Sequence, residues 1–284
     1  MADRGPETSS SSGEDQGVLR LCAQVGSATD VGRRRRNNQD HHLVLPVGGG
    51  AVPPEGGPVL LGVEDSRLLV AVADGMGGHF GGEVASRLCV ENLATEIVSQ
   101  FSNGQPDMRA ALQKAIEGAH KTLFAHAQGF AGNQTMGTTL TAALLHGVRA
   151  ELAQVGDSRA YLFRGRNLIL LTEDQTIGNQ LRSRGEDSMN VDAQIQEMLI
   201  QAVGAQPEIE VIMTAMDLEP KDFLLLCSDG LYKVVSPAEI VAILEREMGL
   251  QEKATHLVTR ANEGGGPDNI TVILTEICRV ESPI

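Results

Sequence analysis

Between residues 151 and 173 the chain reads ELAQVGDSRAYLFRGRNLILLTE, a succession of apolar runs separated by gaps of only a few residues. A parallel neighbour would need a crossover of about a dozen residues or more, so gaps this short force hairpins and an antiparallel sheet. Further runs rich in β-branched and aliphatic residues fall at 18–25, 42–47, 67–73, 138–145, 208–214, 222–227 and 269–277. Within the opening stretch the runs are 150–155, 159–163 and 167–171. Helical periodicity occupies 82–103, 107–128, 237–248 and 251–262. One helix start is well marked: Ser236 is the expected N-cap, Pro237 begins the first turn and Glu239 closes a capping box. Helices therefore come in pairs between blocks of strands. That order predicts an α+β domain, with antiparallel sheet covered by helices and no alternating βαβ units.

The N-terminal MADRGPETSSSSGEDQG lacks an apolar segment and is too polar to offset the entropy of ordering. It predicts a disordered leader over 1–17, followed by a single domain over 18–284. GGGAVPPEGGP at 48–58 reads as an exposed loop, and the polar stretch 175–206 as a long flap. With 23 basic against 37 acidic residues the net charge is −14, which argues against a nucleic-acid partner. The one basic block, Arg33 to Arg36, is then a local anion site or a solvated turn. No apolar stretch is long enough to span a membrane. The four cysteines, Cys22, Cys89, Cys227 and Cys278, are scattered along the sequence without metal-ligand spacing. They fit buried free thiols in a reducing cytoplasm.

Aspartates recur at the ends of the strand runs. RLLVAVAD ends in Asp74, ELAQVGD in Asp157 and FLLLCSD in Asp229, while Asp40 and Asp268 stand just before HHLVLPV and NITVILTEI. In an antiparallel sheet the end of one strand lies beside the start of its neighbour, so these carboxylates could gather along one edge. Aspartate followed by glycine is common turn chemistry, and any one of these residues is satisfied by that reading. Five gathered like charges are costly unless cations neutralise them. Oxygen donors without nearby thiolates suit Mg²⁺ or Mn²⁺. Gly75, with a bare backbone, could turn its carbonyl toward such an ion. The glycines of GMGGHFGG match neither G-x-G-x-x-G nor a P-loop.

The motifs TDVGRRRRNNQD (29–40), VADGMGGHFGGEVAS (72–86), MGTTLTAALL (136–145), VGDSRAYL (155–162), LTEDQTIGNQL (171–181), LLLCSDGL (224–231) and GGPDNITVILTEI (265–277) occur in this order. Together they resemble the metal-dependent protein serine/threonine phosphatases of the 2C type, in particular the bacterial subgroup. The resemblance covers roughly residues 20–278. It implies a sandwich of two antiparallel sheets flanked by helices on both sides, in α-β-β-α layers, with two Mn²⁺ or Mg²⁺ ions at one edge. It also implies that Asp74 bridges both ions, Gly75 offers its carbonyl, Asp229 and Asp268 complete one shell, and Asp40 reaches the other ion through water. Arg35 takes the place of the family's phosphate-binding arginine, and a metal-activated water attacks phosphorus without a phosphoenzyme.

Asp157 matches the aspartate of the family's third metal site, but Lys233 stands where its acidic partner is usual. An Asp157–Lys233 ion pair is expected there instead, which puts a third ion in question. Gln39 replaces a common glutamate, and Gln175 replaces a histidine that could donate a proton. Met76 agrees with bacterial members, and His41, His42 and His79 are read as packing or surface residues. The resemblance implies phosphorylated proteins as substrates and a serine/threonine kinase to oppose; the free thiols fit a cytoplasmic location, and a monomer is the default for a self-contained sandwich. Lys233 supports an alternative, a weakly active or inactive phosphatase-like regulatory module that binds phosphoproteins.

Overall fold

In the computed structural model, which describes residues 20–48, 58–62, 65–77, 81–129, 136–186 and 191–280, the apolar run that ends in Asp74 forms a strand over Arg67–Met76. The described residues form, in order, β1 (Leu21–Asp30), β2 (Asp40–Val47), β3 (Val59–Leu61), β4 (Arg67–Met76), α1 (Gly81–Ser102), α2 (Met108–Gly129), β5 (Gly137–Thr138), β6 (Leu140–His146), β7 (Arg149–Val155), β8 (Arg159–Arg164) and β9 (Asn167–Leu170). They continue with α3 (Ile177–Ser183), α4 (Ala193–Gln196), β10 (Ile212–Asp217), β11 (Phe223–Cys227), α5 (Asp229–Tyr232), α6 (Pro237–Leu244), α7 (Leu250–Glu263) and β12 (Ile270–Arg279).

One sheet runs β3-β1-β12-β11-β8-β9; the other runs β10-β7-β6-β4-β2, with β5 beside β4. The hairpins β6–β7 and β8–β9 are antiparallel, as the short gaps require.

The two-residue period of the strands sorts side chains into layers. In β4, Leu69, Ala71 and Ala73 join a core with Leu93 and Ile97 of α1 and Leu112 and Ile116 of α2. Leu68, Val70 and Val72 point the other way, into a core shared with Leu224 and Leu226 of β11 and Ile273 of β12. Leu225 and Leu274, on the far face of that second sheet, meet Ile240 and Ile243 of α6 and Leu257 of α7. The outcome is the expected α-β-β-α sandwich. Both sheets are covered on both faces, which is why β4 reads as a continuous apolar run.

Several boundaries differ from those expected. The first strand extends to Asp30, because its ladder with β12 continues from Leu21–Arg279 to Asp30–Ile270; a pairing partner sets its end. Strand β10 begins at Ile212, later than expected, in register with Gln154 of β7. Helix α6 stops at Leu244, where the buried Lys253 of α7 donates from Nζ to the Leu244 carbonyl at 2.6 Å. The Ser236–Glu239 capping box is formed.

Strand β3 was unforeseen, and the expected loop over 48–58 lies outside the described residues except at its two ends. The leader 1–17 lies outside them altogether. All four cysteines are free, and Cys22 faces Cys278 across the β1–β12 ladder, a pairing their separation in sequence hides. No described helix is long and apolar enough to cross a membrane.

Candidate active site

Pairing in the second sheet places Asp40, the first residue of β2, directly opposite Asp74 in β4. The main chain of Asp74 is locked from both sides. Its N–H donates to Thr139 Oγ1 at 3.0 Å, and its carbonyl accepts from Thr139 N and Thr138 Oγ1, both at 2.9 Å. Gly75 follows because nothing larger fits: a Cβ there would lie 2.0 Å from the Gly82 carbonyl oxygen at the start of α1. The glycine therefore answers to the close approach of a helix as well as to any need for a free carbonyl.

The other sheet delivers the remaining carboxylates to the same edge. Asp229 is the first residue of α5, immediately after β11, and Asp268 sits in the turn before β12. Asp157 occupies the bend between β7 and β8, where Tyr232 donates its hydroxyl to the Asp157 carbonyl at 3.1 Å. A cleft of about 370 Å³ opens between them, lined by Arg35, Asp74, Asp157, Asp229, Lys233 and Asp268, with Gln39, Gly75 and Met76 beside them. Asp40 lies beneath it, 4% exposed, and accepts a hydrogen bond from Ser228 Oγ at 2.7 Å.

Gathering these charges shifts their titration. Burial, then repulsion from Asp229 and Asp268, pushes Asp40 up to about 7, against hydrogen bonds from Ser228 and Thr271 that favour its charged form. Burial and the other four aspartates raise Asp74 well above the usual carboxylate range. Burial and Asp229 raise Asp157 to about 7, and the charge of Lys233 partly offsets them. The five aspartates thus share one electrostatic environment, as the strand-end pattern suggested.

Two protein cations hold part of this charge. Arg35 Nη2 donates to Asp268 Oδ2 at 2.6 Å, a contact that raises the guanidinium's own pKa. Lys233 Nζ lies 2.9 Å from Asp229 Oδ2 and 3.1 Å from Glu197 Oε2, just past α4 in the flap. The expected Asp157–Lys233 pair is therefore not the one formed among the described residues. As helix residue i+4, Lys233 reaches Asp229 one turn back, while Asp157 feels its charge only through space.

Among the described residues no group of three or more His, Cys, Asp or Glu side chains is arranged to hold a metal ion by itself. Yet Asp40 Oδ1 and Asp229 Oδ1 are buried without any hydrogen-bond partner. Such oxygens are expensive to leave unpaired, and an all-oxygen donor set of this kind fits hard divalent cations.

The family follows from a direct comparison: a model of protein phosphatase 2C matches residues 60–262. The chain belongs to the protein phosphatase 2C family. It is 38% identical over 219 residues to the serine/threonine phosphatase stp of Listeria innocua, covering 75% of this chain and 86% of that one. It is 36% identical over 212 residues to the serine/threonine protein phosphatase PstP of Mycobacterium tuberculosis, covering 74% of this chain and 40% of the longer relative. The crystal structure of PstP/Ppp from that organism superposes with a TM-score of 0.74 at 32% identity, covering 90% of this chain and 98% of that one. The catalytic domain of PstP in complex with two manganese ions gives 0.72, also at 32% identity, covering 91% and 99%. The two-sheet sandwich is thus the fold this family shares.

Within this 2C-type domain, some residues that shape the cleft were not singled out from sequence. Asn269 accepts from Gln39 N at 2.8 Å and donates to the Val31 and Asn37 carbonyls at 2.9 and 3.0 Å, holding the β1–β2 turn that carries Arg35. It sits inside GGPDNI, next to Asp268, which was its only signal. Gln175, in place of the family's histidine, is structural: it accepts from Gly156 N at 2.6 Å and donates to the Glu210 carbonyl at 3.0 Å, tying the flap to the sheet. His41 contacts Ser86 Oγ, and burial lowers the pKa of both His41 and His42, in keeping with packing roles. His79 lies outside the described residues.

Proposed function

We propose that this protein hydrolyses phosphoserine and phosphothreonine in proteins, dependent on Mn²⁺ or Mg²⁺, and opposes a serine/threonine kinase as a cytoplasmic monomer. The observation that carries this reading is the unpartnered pair of buried oxygens, Asp40 Oδ1 and Asp229 Oδ1, in an edge where five aspartates meet Arg35. Asp74, Asp229 and Asp268 would hold one ion and Asp40 with Asp74 the other, with the Gly75 carbonyl offered to one of them. Bound there, two divalent ions would supply a water of lowered pKa and positive charge for the phosphoryl oxygens. Arg35, already in the cleft, is suited to bind the substrate phosphate through its fork of N–H donors once it leaves Asp268. Ser228 and Thr139 keep the Asp40 side chain and the Asp74 backbone in fixed positions for this work. The domain that carries it spans 18–284, with the flap at 175–206 beside the cleft.

Lys233 favours a second reading, in which the domain binds phosphoproteins as a weakly active regulator. Its ammonium sits on Asp229 and extends to Glu197, and it places positive charge beside Asp157, where a third ion would have to bind. The two readings separate on Asp74→Asn and Asp229→Asn. Under the first, each change abolishes phosphate release from a phosphothreonine peptide and weakens Mn²⁺ binding in calorimetry, while circular dichroism stays native. Activity that survives either change removes the two-ion assignment.

A further inference from the structure

We infer that Arg33, Arg34 and Arg36 form a cationic collar at the mouth of the cleft that selects phosphoprotein segments bearing acidic residues beside the phosphorylated one. The inference rests on the phosphatase reading above and names its substrate class.

The four consecutive arginines stand out in a chain of net charge −14. Only Arg35 is committed, to Asp268 in the cleft. Arg33, Arg34 and Arg36 are exposed, and their side chains make no ion pair or hydrogen bond among the described residues. Among the described residues, three guanidinium groups without an ion-pair partner therefore adjoin, in sequence, the one that lines the cleft.

The backbone presenting them is fixed. Gly32 adopts φ +81°, and a Cβ there would lie 2.1 Å from the Asp268 carbonyl oxygen, so the turn passes directly over the segment before β12. Arg33 N donates to the Gly266 carbonyl at 2.8 Å, Gly32 N to Asp30 Oδ1 at 2.8 Å, and Asn38 Nδ2 to Thr29 Oγ1 at 2.8 Å. Asn269 holds the Val31 and Asn37 carbonyls on either side of the arginines. A turn held in this way, with guanidinium groups that have no partner among the described residues, is preorganised for an anionic partner, since little backbone ordering is left for binding to supply.

Charge decides which partner. A phosphorylated, acidic segment approaching this molecule meets a strongly negative field, and a local positive collar beside the cleft is what would draw it in. In an extended peptide an acidic residue one or two places from the phosphoresidue lies roughly 3–7 Å along the chain, within the span of the arginines that flank Arg35. Guanidinium forks match carboxylates and phosphates alike, so glutamate, aspartate or a second phosphoresidue would all serve. Nucleic acid would meet the same negative field over a far larger footprint.

The test uses the full chain with Mn²⁺ and two phosphothreonine peptides, identical except for Glu or Gln at the two positions on either side. Each exposed guanidinium–carboxylate contact is worth roughly 1.5- to 5-fold. Three such contacts therefore predict kcat/KM at least about 3-fold higher for the acidic peptide at low salt, falling toward parity at high salt. In Arg33→Gln/Arg34→Gln/Arg36→Gln that preference shrinks toward one, and Arg33→Lys/Arg34→Lys/Arg36→Lys restores most of it. A third peptide with a flanking phosphoserine in place of Glu shows whether carboxylate or phosphate is the better ligand. A preference that is absent in the wild type, or unchanged in the Gln variant, overturns the collar while leaving the phosphatase reading intact. Failure to release phosphate from any peptide overturns that reading and the collar with it. If the Gln variant instead loses binding to a DNA duplex with its peptide preference unchanged, the arginines belong to nucleic acid and the inference is wrong.

Discussion

Asn269 is joined to the β1–β2 turn at three points, and Arg35 reaches the cleft from that turn. Asn269→Ala would leave three backbone groups without their partner. It is expected to cost about 3 kcal/mol in denaturant unfolding, and to lower kcat/KM further by loosening Arg35. At the other side of the cleft, Lys233→Ala removes the cation that competes for Asp229. Mn²⁺ should then bind roughly 3- to 5-fold more tightly in calorimetry, since the pair is partly exposed and worth only a modest energy. A weaker affinity would mean that Lys233 orders Asp229 and does not compete for it. The five aspartates were legible in the sequence because each stands where a strand run starts or stops. Asn269 and Glu197 were not. Their partners lie 230 and 36 residues away in sequence, and nothing in an asparagine or a glutamate announces such a contact.

The longer elements could be read where their hydrophobic period is clear, as in α2 and α7, or their boundary chemistry explicit, as in α6. Ser236→Ala deletes the N-cap of α6 and half of its capping box. A loss of about 1 kcal/mol is expected, read as a lower denaturation midpoint with an unchanged m-value. An unchanged midpoint would show that the Glu239–Arg260 ion pair anchors α6 without the cap. Elements fixed by distant partners escaped the reading. Strand β3 has three residues and exists through pairing with β1, and the far end of β1 depends on β12. The short helices α3 and α4 in the flap are set by single caps, Thr176 and Asp192, within a polar stretch that has no period to detect.

Across the whole molecule, the balance of charge at one sandwich edge governs stability. Asp40 and Asp157 titrate near 7 in the folded chain, Asp74 is raised as well, and the ordinary value is 3.8. Between these limits the folded state holds protons that the unfolded state has released, so metal-free stability falls as pH rises from about 4 through 7. The EDTA-treated protein should melt at a lower temperature near pH 8 than near pH 6. Mn²⁺ at about 100 times its Kd should add roughly 2.7 kcal/mol, with the larger gain at the higher pH, where the carboxylates are free to bind it. The opposite order would mean that the aspartates are not neutralised as the geometry requires.

The most direct test of the central claim is phosphate release from a phosphothreonine peptide by the purified wild-type chain, with Mn²⁺ and then with excess EDTA. The account predicts release with Mn²⁺, its loss in EDTA and its return when Mn²⁺ is restored. Release that persists in EDTA, or none from folded protein shown to bind Mn²⁺, would contradict it.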